Sequence, residues 1–334
     1  MRVTDRGGRE REVPLYSVEE VSAYVEERAR EAGREALANR ARQFRWCVCQ
    51  NPVAAPREAT FSMTHKDCGT TFAGLRSCDL RACPRCNGRR FADSVEDYEA
   101  KMRAGNVQQS QIRFLTLTVP NVRDLSAGLR KLQDDVKKLR RRPWFQQYAR
   151  SGVVAYQWTK YGATWHVHAH LVLVGAYIPR ALVMEAWTEI QGGDARDAGV
   201  DVRFWRGSPI QAFKEALGYV YPTKARRYAE LQDYATVELD LKGRRLTQSW
   251  GDFYGVSRVR PPKCCPYCEQ EGGAWQFQGT PTDVEWGAFI AALSSGDFSG
   301  SPVSLVPTNR EHSSVARARR ERSRRERESG AYAC

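Results

Sequence analysis

The sequence lacks any long uncharged apolar run, and its first dozen residues hold no hydrophobic stretch. A membrane-spanning helix needs about 20 consecutive apolar residues, and a secretory signal needs an apolar segment behind a basic start. We therefore expect a cytoplasmic protein with no membrane partner. The phosphate-binding pattern GxxxxGK[ST] is also absent, so any DNA unwinding must be supplied by a separate helicase.

Acidic residues are too few to balance the basic ones. Lys and Arg total 52 against 39 Asp and Glu, which gives a net charge of +13. Such an excess predicts a polyanionic partner and, with a membrane excluded, indicates nucleic acid. The candidate phosphate contacts are the arginine-rich tail 310–328 and the run Arg140, Arg141 and Arg142. Charge runs are more often simply solvated surface.

Nine of the ten cysteines form two groups whose short spacings indicate zinc rather than disulfides in a cytoplasmic protein. The first group contains a Cys-Pro-Arg-Cys knuckle, and its candidate ligands are Cys47, Cys49, Cys68, Cys78, Cys83 and Cys86. The second is a knuckle of Cys265 and Cys268 beside Cys264. It has no distal pair of its own and must borrow ligands, for which 47–68 is one source. Any single cysteine can instead be a buried free thiol. Full thiolate coordination leaves no open position, so both zinc sites are predicted to be structural.

The pattern of apolar residues predicts an α+β fold. Helical periodicity covers 17–45, 90–105, 124–140, 179–191 and 209–221, whereas alternating or β-branched runs indicate strands at 112–119, 153–159, 166–174 and 201–207. This order favours helices on one face of a mainly antiparallel sheet. We expect an N-terminal helical segment (1–45), a cysteine-rich zinc module (46–105), a main domain containing the second knuckle (106–270) and a C-terminal extension with a basic tail (271–334).

Only five histidines are present, and three of them are His166, His168 and His170. Side chains alternate along a strand, so these three imidazoles share one face. Neutral imidazole is a common ligand of divalent metals. The pattern alone leaves open a catalytic zinc site, a Mg²⁺ or Mn²⁺ site, and a solvated polar face.

The segment AFKEALGYVYPTKARRY (212–228) carries candidate nucleophiles. A tyrosine becomes a useful nucleophile when a metal polarises a phosphate and the geometry is fixed. Lys224 would then stabilise negative charge, and Glu215 would act as a base for a second nucleophile. Taken alone, an apolar helix with two tyrosines is more often core, since the chain has 14 tyrosines.

Taken in order, these segments resemble the rolling-circle replication initiators of the HUH endonuclease superfamily, most closely the plasmid-type proteins with a single catalytic tyrosine. The first three motifs of that family are similar to FLTLTVPN (114–121), TWHVHAHLVLVG (164–175) and Tyr-Pro-Thr-Lys (221–224). The flanking stretches FAGLRSCDLRACPRCNGRR (72–90) and LKGRRLTQSWGDF (241–253) also look like family segments. The likeness covers roughly residues 45–255, and the order of its motifs makes it specific.

The resemblance implies a ferredoxin-like nuclease domain with His168 and His170 as ligands of Mg²⁺ or Mn²⁺. The tyrosine would attack a phosphate of origin DNA, leaving a 5′-phosphotyrosine link and a free 3′-OH, with later strand transfer or rejoining. A host polymerase would extend the 3′ end, and a host helicase would unwind the duplex.

Two departures from the family pattern leave choices open. Gln157 stands where the family often has a glutamate as third ligand, and His166 is the alternative. The Tyr-x-x-Lys spacing selects Tyr221, whereas a Glu-x-x-x-Tyr spacing selects Tyr219 with Glu215. Two residues apart on a helix, the two tyrosines point about 200° from each other, so only one readily faces a metal. We favour Tyr221.

Two other functions fit parts of this pattern. A single-strand transposase with the same chemistry has similar cysteine and histidine segments. From a different class, the alternative is a zinc-ribbon nucleic-acid-binding protein without catalysis.

Overall fold

The computed structural model describes residues 2–4, 10–12, 16–47, 56–69, 71–193, 199–221, 228–254, 275–295 and 303–305. The chain forms two compact units, each built from two stretches. Unit 1 comprises Met1–Glu35 and Asp79–Arg258, and unit 2 comprises Ala36–Cys78 and Val259–Cys334.

The described helices and strands follow one another in a mixed α/β order. The helices are α1 Val18–Glu31, α2 Glu35–Phe44, α3 Pro84–Ala104, α4 Leu125–Arg140, α5 Pro143–Tyr148, α6 Arg180–Ile190, α7 Pro209–Val220, α8 Leu231–Asp240 and α9 Asp283–Ser295. The strands are β1 Arg2–Thr4, β2 Glu10–Glu12, β3 Thr60–His65, β4 Thr71–Leu75, β5 Ile112–Thr118, β6 Ala149–Tyr161, β7 Thr164–Gly175, β8 Val200–Phe204, β9 Thr247–Trp250, β10 Trp275–Gly279 and β11 Val303–Leu305.

Several local signals explain where these elements begin and end. The predicted helix 17–45 is two helices, because Gly33 adopts a positive φ of 66° between α1 and α2. Ser17 begins α1 with a capping box that includes Glu20. Asp124 caps α4 by accepting a hydrogen bond from the amide of Ala127. The predicted strands and helices between 112 and 221 are present, but the strand predicted at 153–159 extends over Ala149–Tyr161 and the short helix Pro143–Tyr148 was not predicted.

Unit 1 contains a five-stranded sheet in the order β8-β5-β7-β6-β9, and every neighbouring pair is antiparallel. This confirms the mixed α/β class and the antiparallel sheet. In the second half of β7, the run Leu171, Val172, Leu173 and Val174 is buried on both faces of the sheet. Such a strand needs cover on both sides.

The helices lie on both faces of this sheet rather than on one, so that detail of the expected fold is wrong. Helix α7 lies on the face that carries Gln157, whose amide approaches the carbonyl of Ala216. Helix α4 packs on β6 and β7, and Arg140 at its end lies near Tyr156. Tyr156 precedes Gln157 on β6 and therefore points to the opposite face. Helices are needed on both faces because residues 171–174 of β7 point alternately to each face and are all buried.

Unit 2 contains a four-stranded sheet in the order β10-β3-β4-β11. Strands β10, β3 and β4 are antiparallel, and β11 runs parallel to β4. Phe61 stacks on Phe277 with ring centroids 6.5 Å apart, and Phe289 of α9 is buried with Ala73. The side chain of Gln43 donates to the carbonyls of Ala59 and Arg76, which ties α2 to the ends of β3 and β4.

Candidate metal centres

The histidines lie on one face of β7, as the alternation predicts. His166, His168 and His170 are partly exposed, whereas Val167 and Ala169 are fully buried on the other side. We call the side that carries the three imidazoles the histidine face. Strand register places two rows of side chains on it: Asp201, Thr116, His170, Ala155 and Thr247 in one row, and Thr118, His168 and Gln157 in the next.

The side chain of His170 contacts one residue on each of the two strands that flank β7. Its Nδ1 is 3.0 Å from Oγ1 of Thr116, and its Nε2 is 3.1 Å from Oε1 of Gln157. Burial lowers the pKa of His170 to about 4, with a further lowering by Arg203 and a partial offset by Asp201. The imidazole is therefore neutral at pH 7, which is the form that binds metals.

The other two imidazoles follow along the same face. The ring centroid of His168 lies 5.0 Å from that of His170 and 5.2 Å from that of His166. Nδ1 of His166 is 2.9 Å from Oδ1 of Asn121, just beyond β5. The structure thus brings His168, His170 and Gln157 together, while the ring of His166 is oriented by Asn121.

The tyrosine-bearing helix ends over the histidine face. Nε2 of Gln157 donates to the carbonyl of Ala216 at 3.4 Å, and α7 ends at Val220 with Tyr221 as its C-cap. Tyr221 is partly exposed. The backbone of Tyr219 lies in α7, but its side chain is outside the described residues, as is Lys224. Glu215 lies on the same helix, one residue before Ala216.

Tyr98 of α3 is a buried tyrosine that sequence reasoning did not connect with the histidine face. Burial raises its pKa to about 12, a hydrogen bond with Thr247 opposes this, and Tyr221 adds to the rise. Its ring stacks on Phe213 of α7 with centroids 5.2 Å apart. Thr247 lies in the same row of the histidine face as His170. Tyr98 therefore interacts both with a residue of that row and with Tyr221. Helical spacing indicated only that Tyr98 lies on an apolar face.

A second centre consists of four buried cysteines, Cys47, Cys78, Cys83 and Cys86, whose sulfur atoms all lie within 4.8 Å of one another. Within the described part of the chain, no other group of three or more His, Cys, Asp or Glu residues converges in this way. None of the five described cysteines is in a disulfide. Four thiolates at this spacing suit a tetrahedral zinc ion and leave no position for substrate.

Only some of the cysteines predicted as zinc ligands belong to this cluster. Cys47 takes the fourth place, and Cys68 is not part of the cluster. Cys68 is exposed after β3, with its Sγ 3.3 Å from Nδ1 of His65. Cys49, Cys264, Cys265 and Cys268 lie outside the described residues.

Hydrogen bonds hold the loop between Cys78 and Cys86 in place. The amide of Asp79, which has a positive φ of 55°, donates to the sulfur of Cys86 at 3.3 Å. The amide of Ala82 donates to Oε1 of Glu238 at 2.8 Å. Glu238 lies on α8, and burial raises the pKa of its carboxyl group. These bonds fix the loop from which α3 begins at Pro84.

The predicted phosphate-binding arginines differ in their surroundings. The guanidinium of Arg140 lies 4.0 Å from the ring centroid of Trp250, and Arg142 pairs with Glu189 at 2.8 Å. Arg141, the C-cap of α4, is exposed. Arg140 and Arg142 therefore have contacts within the protein, and Arg141 is the best placed of the three to meet a phosphate.

Among the described helices, none is long and apolar enough to cross a membrane. No protein-family model, curated protein or solved structure matches the chain.

Proposed function

We propose that this protein is a metal-dependent DNA-nicking enzyme of the rolling-circle initiator kind, with a ferredoxin-like HUH domain formed by the five-stranded sheet. The proposal rests on one observation above all. The carbonyl of Ala216, near the end of the helix that leads into Tyr221, accepts a hydrogen bond from Gln157, which also contacts His170. This contact supports the proposal because it brings the helix that leads into Tyr221 against the sheet face that carries the proposed ligands.

The donor atoms suit a divalent cation. His168 and His170 offer imidazole nitrogens, and Gln157 offers a neutral amide oxygen that binds a hard cation more weakly than a carboxylate does. The contact of 3.1 Å between Nε2 of His170 and Oε1 of Gln157 shows that two of these donors converge. Mg²⁺ or Mn²⁺ bound there would polarise the phosphate under attack.

In the proposed reaction, the phenolic oxygen of Tyr221 forms a bond to phosphorus. The bond from phosphorus to the 3′ oxygen breaks, the phenol loses its proton, and the departing 3′ oxygen gains one. The products are a 5′-phosphotyrosine link and a 3′-OH primer for a host polymerase. Lys224 would neutralise charge on the phosphate, and Glu215 would serve as a base when a second nucleophile rejoins the strand.

The test is covalent adduct formation on single-stranded DNA taken from the protein's own replicon, in the presence of Mn²⁺. We expect an adduct that resists denaturation with the wild-type protein. His168→Ala and His170→Ala should lower its rate by at least about 100-fold, as expected for loss of metal-assisted catalysis. Tyr221→Phe should abolish the adduct, and Tyr219→Phe should retain it.

The rival of another class is a zinc-dependent nucleic-acid-binding protein without catalysis. The buried four-cysteine cluster and the net charge of +13 favour it. Absence of a wild-type adduct with every divalent metal tested would support this rival. A single-strand transposase would form the adduct, but on transposon-end oligonucleotides rather than at one origin.

A further inference from the structure

Gln157 is a buried amide with a hydrogen-bonding neighbour at each end. Its side chain is 2% exposed, with Oε1 facing His170 at 3.1 Å and Nε2 facing the carbonyl of Ala216 at 3.4 Å. A carbonyl only accepts hydrogen bonds, so the amide NH₂ must face Ala216. The neighbouring helix thereby fixes the orientation of the amide, and Oε1 is left to face the histidine.

The contact with Ala216 reaches the part of α7 that matters for the proposed reaction. Ala216 lies one residue before the final turn of a helix that ends at Val220, and in an α-helix its carbonyl accepts from the amide four residues later, within that turn. The amide of Tyr221 donates to the carbonyl of Leu217 at 2.9 Å, which closes that turn. A restraint on the carbonyl of Ala216 therefore restrains the turn that contains Tyr219 and leads into Tyr221.

We propose that Gln157 is a positioning residue that holds the last turn of α7 against the histidine face, and that this requires an amide rather than a carboxylate. Only the NH₂ group can donate to the carbonyl of Ala216. A glutamate at 157 would bind a cation more strongly, but it would direct a negative oxygen at that carbonyl. The positioning role is independent of the proposed function, whereas its consequence for nicking rests on it.

Hydrogen exchange in the absence of added Mg²⁺ or Mn²⁺ tests the positioning role directly. In Gln157→Glu, we expect the amides of 217–221 to exchange roughly three- to tenfold faster than in the wild type, as expected for loss of one hydrogen bond. Exchange over α4 and α8 should not change. Unchanged exchange at 217–221 would overturn the proposal, and so would an equal rise in all three helices.

Gln133→Glu is the matched control. Its amide also donates to a backbone carbonyl, that of Arg245 at 2.9 Å, but from an exposed position on α4. The same substitution there should leave the exchange of 217–221 at the wild-type rate. An increase at 217–221 as large as that in Gln157→Glu would mean that added charge, rather than the lost contact, frees the helix.

A second pair of measurements separates this inference from the proposed function. Gln157→Glu should bind Mn²⁺ at least as tightly as the wild type, yet form the DNA adduct at least about tenfold more slowly at saturating Mn²⁺. A faster adduct reaction would contradict the positioning role. If the wild type forms no adduct, the nicking function fails, while the exchange experiment still decides whether Gln157 holds α7.

Discussion

At the residue scale, the hydrogen bonds around His170 form a directional chain. The carbonyl of Ala216 fixes the amide of Gln157, so Oε1 accepts the hydrogen on Nε2 of His170. Nδ1 then accepts a hydrogen bond from the hydroxyl of Thr116. For Nε2 to bind a metal, the ring hydrogen must move to Nδ1. The hydroxyl of Thr116 can then rotate and accept a hydrogen bond from Nδ1, because a hydroxyl can both donate and accept hydrogen bonds.

Thr116 should therefore support metal binding without touching the metal. We expect Thr116→Val to weaken Mn²⁺ binding about 10- to 100-fold, because the hydrogen on Nδ1 would be buried without an acceptor. Thr116→Ser keeps the hydroxyl and should bind within about threefold of the wild type. Isothermal titration calorimetry measures both. Equal affinity in the valine and serine variants would show that the hydroxyl plays no part.

Asp135 gives a residue-scale prediction about stability in acid. Burial raises its pKa, but hydrogen bonds from Lys131, Lys138 and Gln191 lower it more, so the carboxyl group titrates below its usual range. Because the folded-state pKa is depressed, the stabilisation is present above the unfolded pKa of about 4 and is lost as the pH falls through the folded-state value. Asp135→Asn should lower the free energy of unfolding by about 1–3 kcal/mol at pH 7.

Urea unfolding at a series of pH values checks this prediction. The difference between the wild type and Asp135→Asn should be largest near neutral pH and should shrink below pH 4. Asp134→Asn, which alters a carboxylate that pairs with Lys137 at the surface, is the control and should change stability by less than about 0.5 kcal/mol. A pH-independent difference for Asp135→Asn would contradict the assignment.

At the scale of elements, the cysteine knuckle shows what the sequence could and could not predict. Cys83 and Cys86 at the start of α3, with Cys78 just before, follow from spacing alone. The fourth ligand does not, because Cys47 is far away in sequence and Cys49 and Cys68 fit the composition equally well. Only the packing of the chain selects Cys47.

Replacing a cluster cysteine should therefore have a large effect. We expect Cys47→Ala to remove one zinc equivalent and to lower the free energy of unfolding by about 4 kcal/mol or more, as for other lost metal sites. Cys68→Ala removes an exposed thiol outside the cluster and should leave this zinc in place. Metal analysis and thermal unfolding measure both effects. Retention of full zinc by Cys47→Ala would show that a different fourth ligand is used.

In the sheet of unit 1, too, some features follow from the sequence pattern and others only from the packing. Alternation predicts β5, β6 and β7 and places the three histidines on one side. It does not reveal that helices cover both sides, because the buried run at the end of β7 also fits a buried helix. The contacts of His166 with Asn121 and of His170 with Thr116 come from neighbouring strands and loops. Both partners lie in FLTLTVPN, but no spacing rule gives their distances.

For the whole molecule, charge and chemistry favour the same partner. The net charge of +13 favours nucleic acid, and the proposed metal ligands of the histidine face would assist chemistry on a phosphate. The four-cysteine cluster includes two residues at the start of α3, and Tyr98 of that helix stacks on Phe213 of α7. The central claim is that the tyrosine at the end of α7 becomes covalently linked to DNA.

Mass spectrometry of the protein–DNA adduct tests that claim most directly. The protein is incubated with Mn²⁺ and a supercoiled plasmid that carries DNA flanking its own gene, and both protein and DNA are then digested. We predict a nucleotide attached through its 5′ phosphate to Tyr221, together with one nicked strand bearing a 3′-OH. A nucleotide on any residue other than Tyr221, or DNA cleavage that leaves no nucleotide on the protein, would contradict the claim.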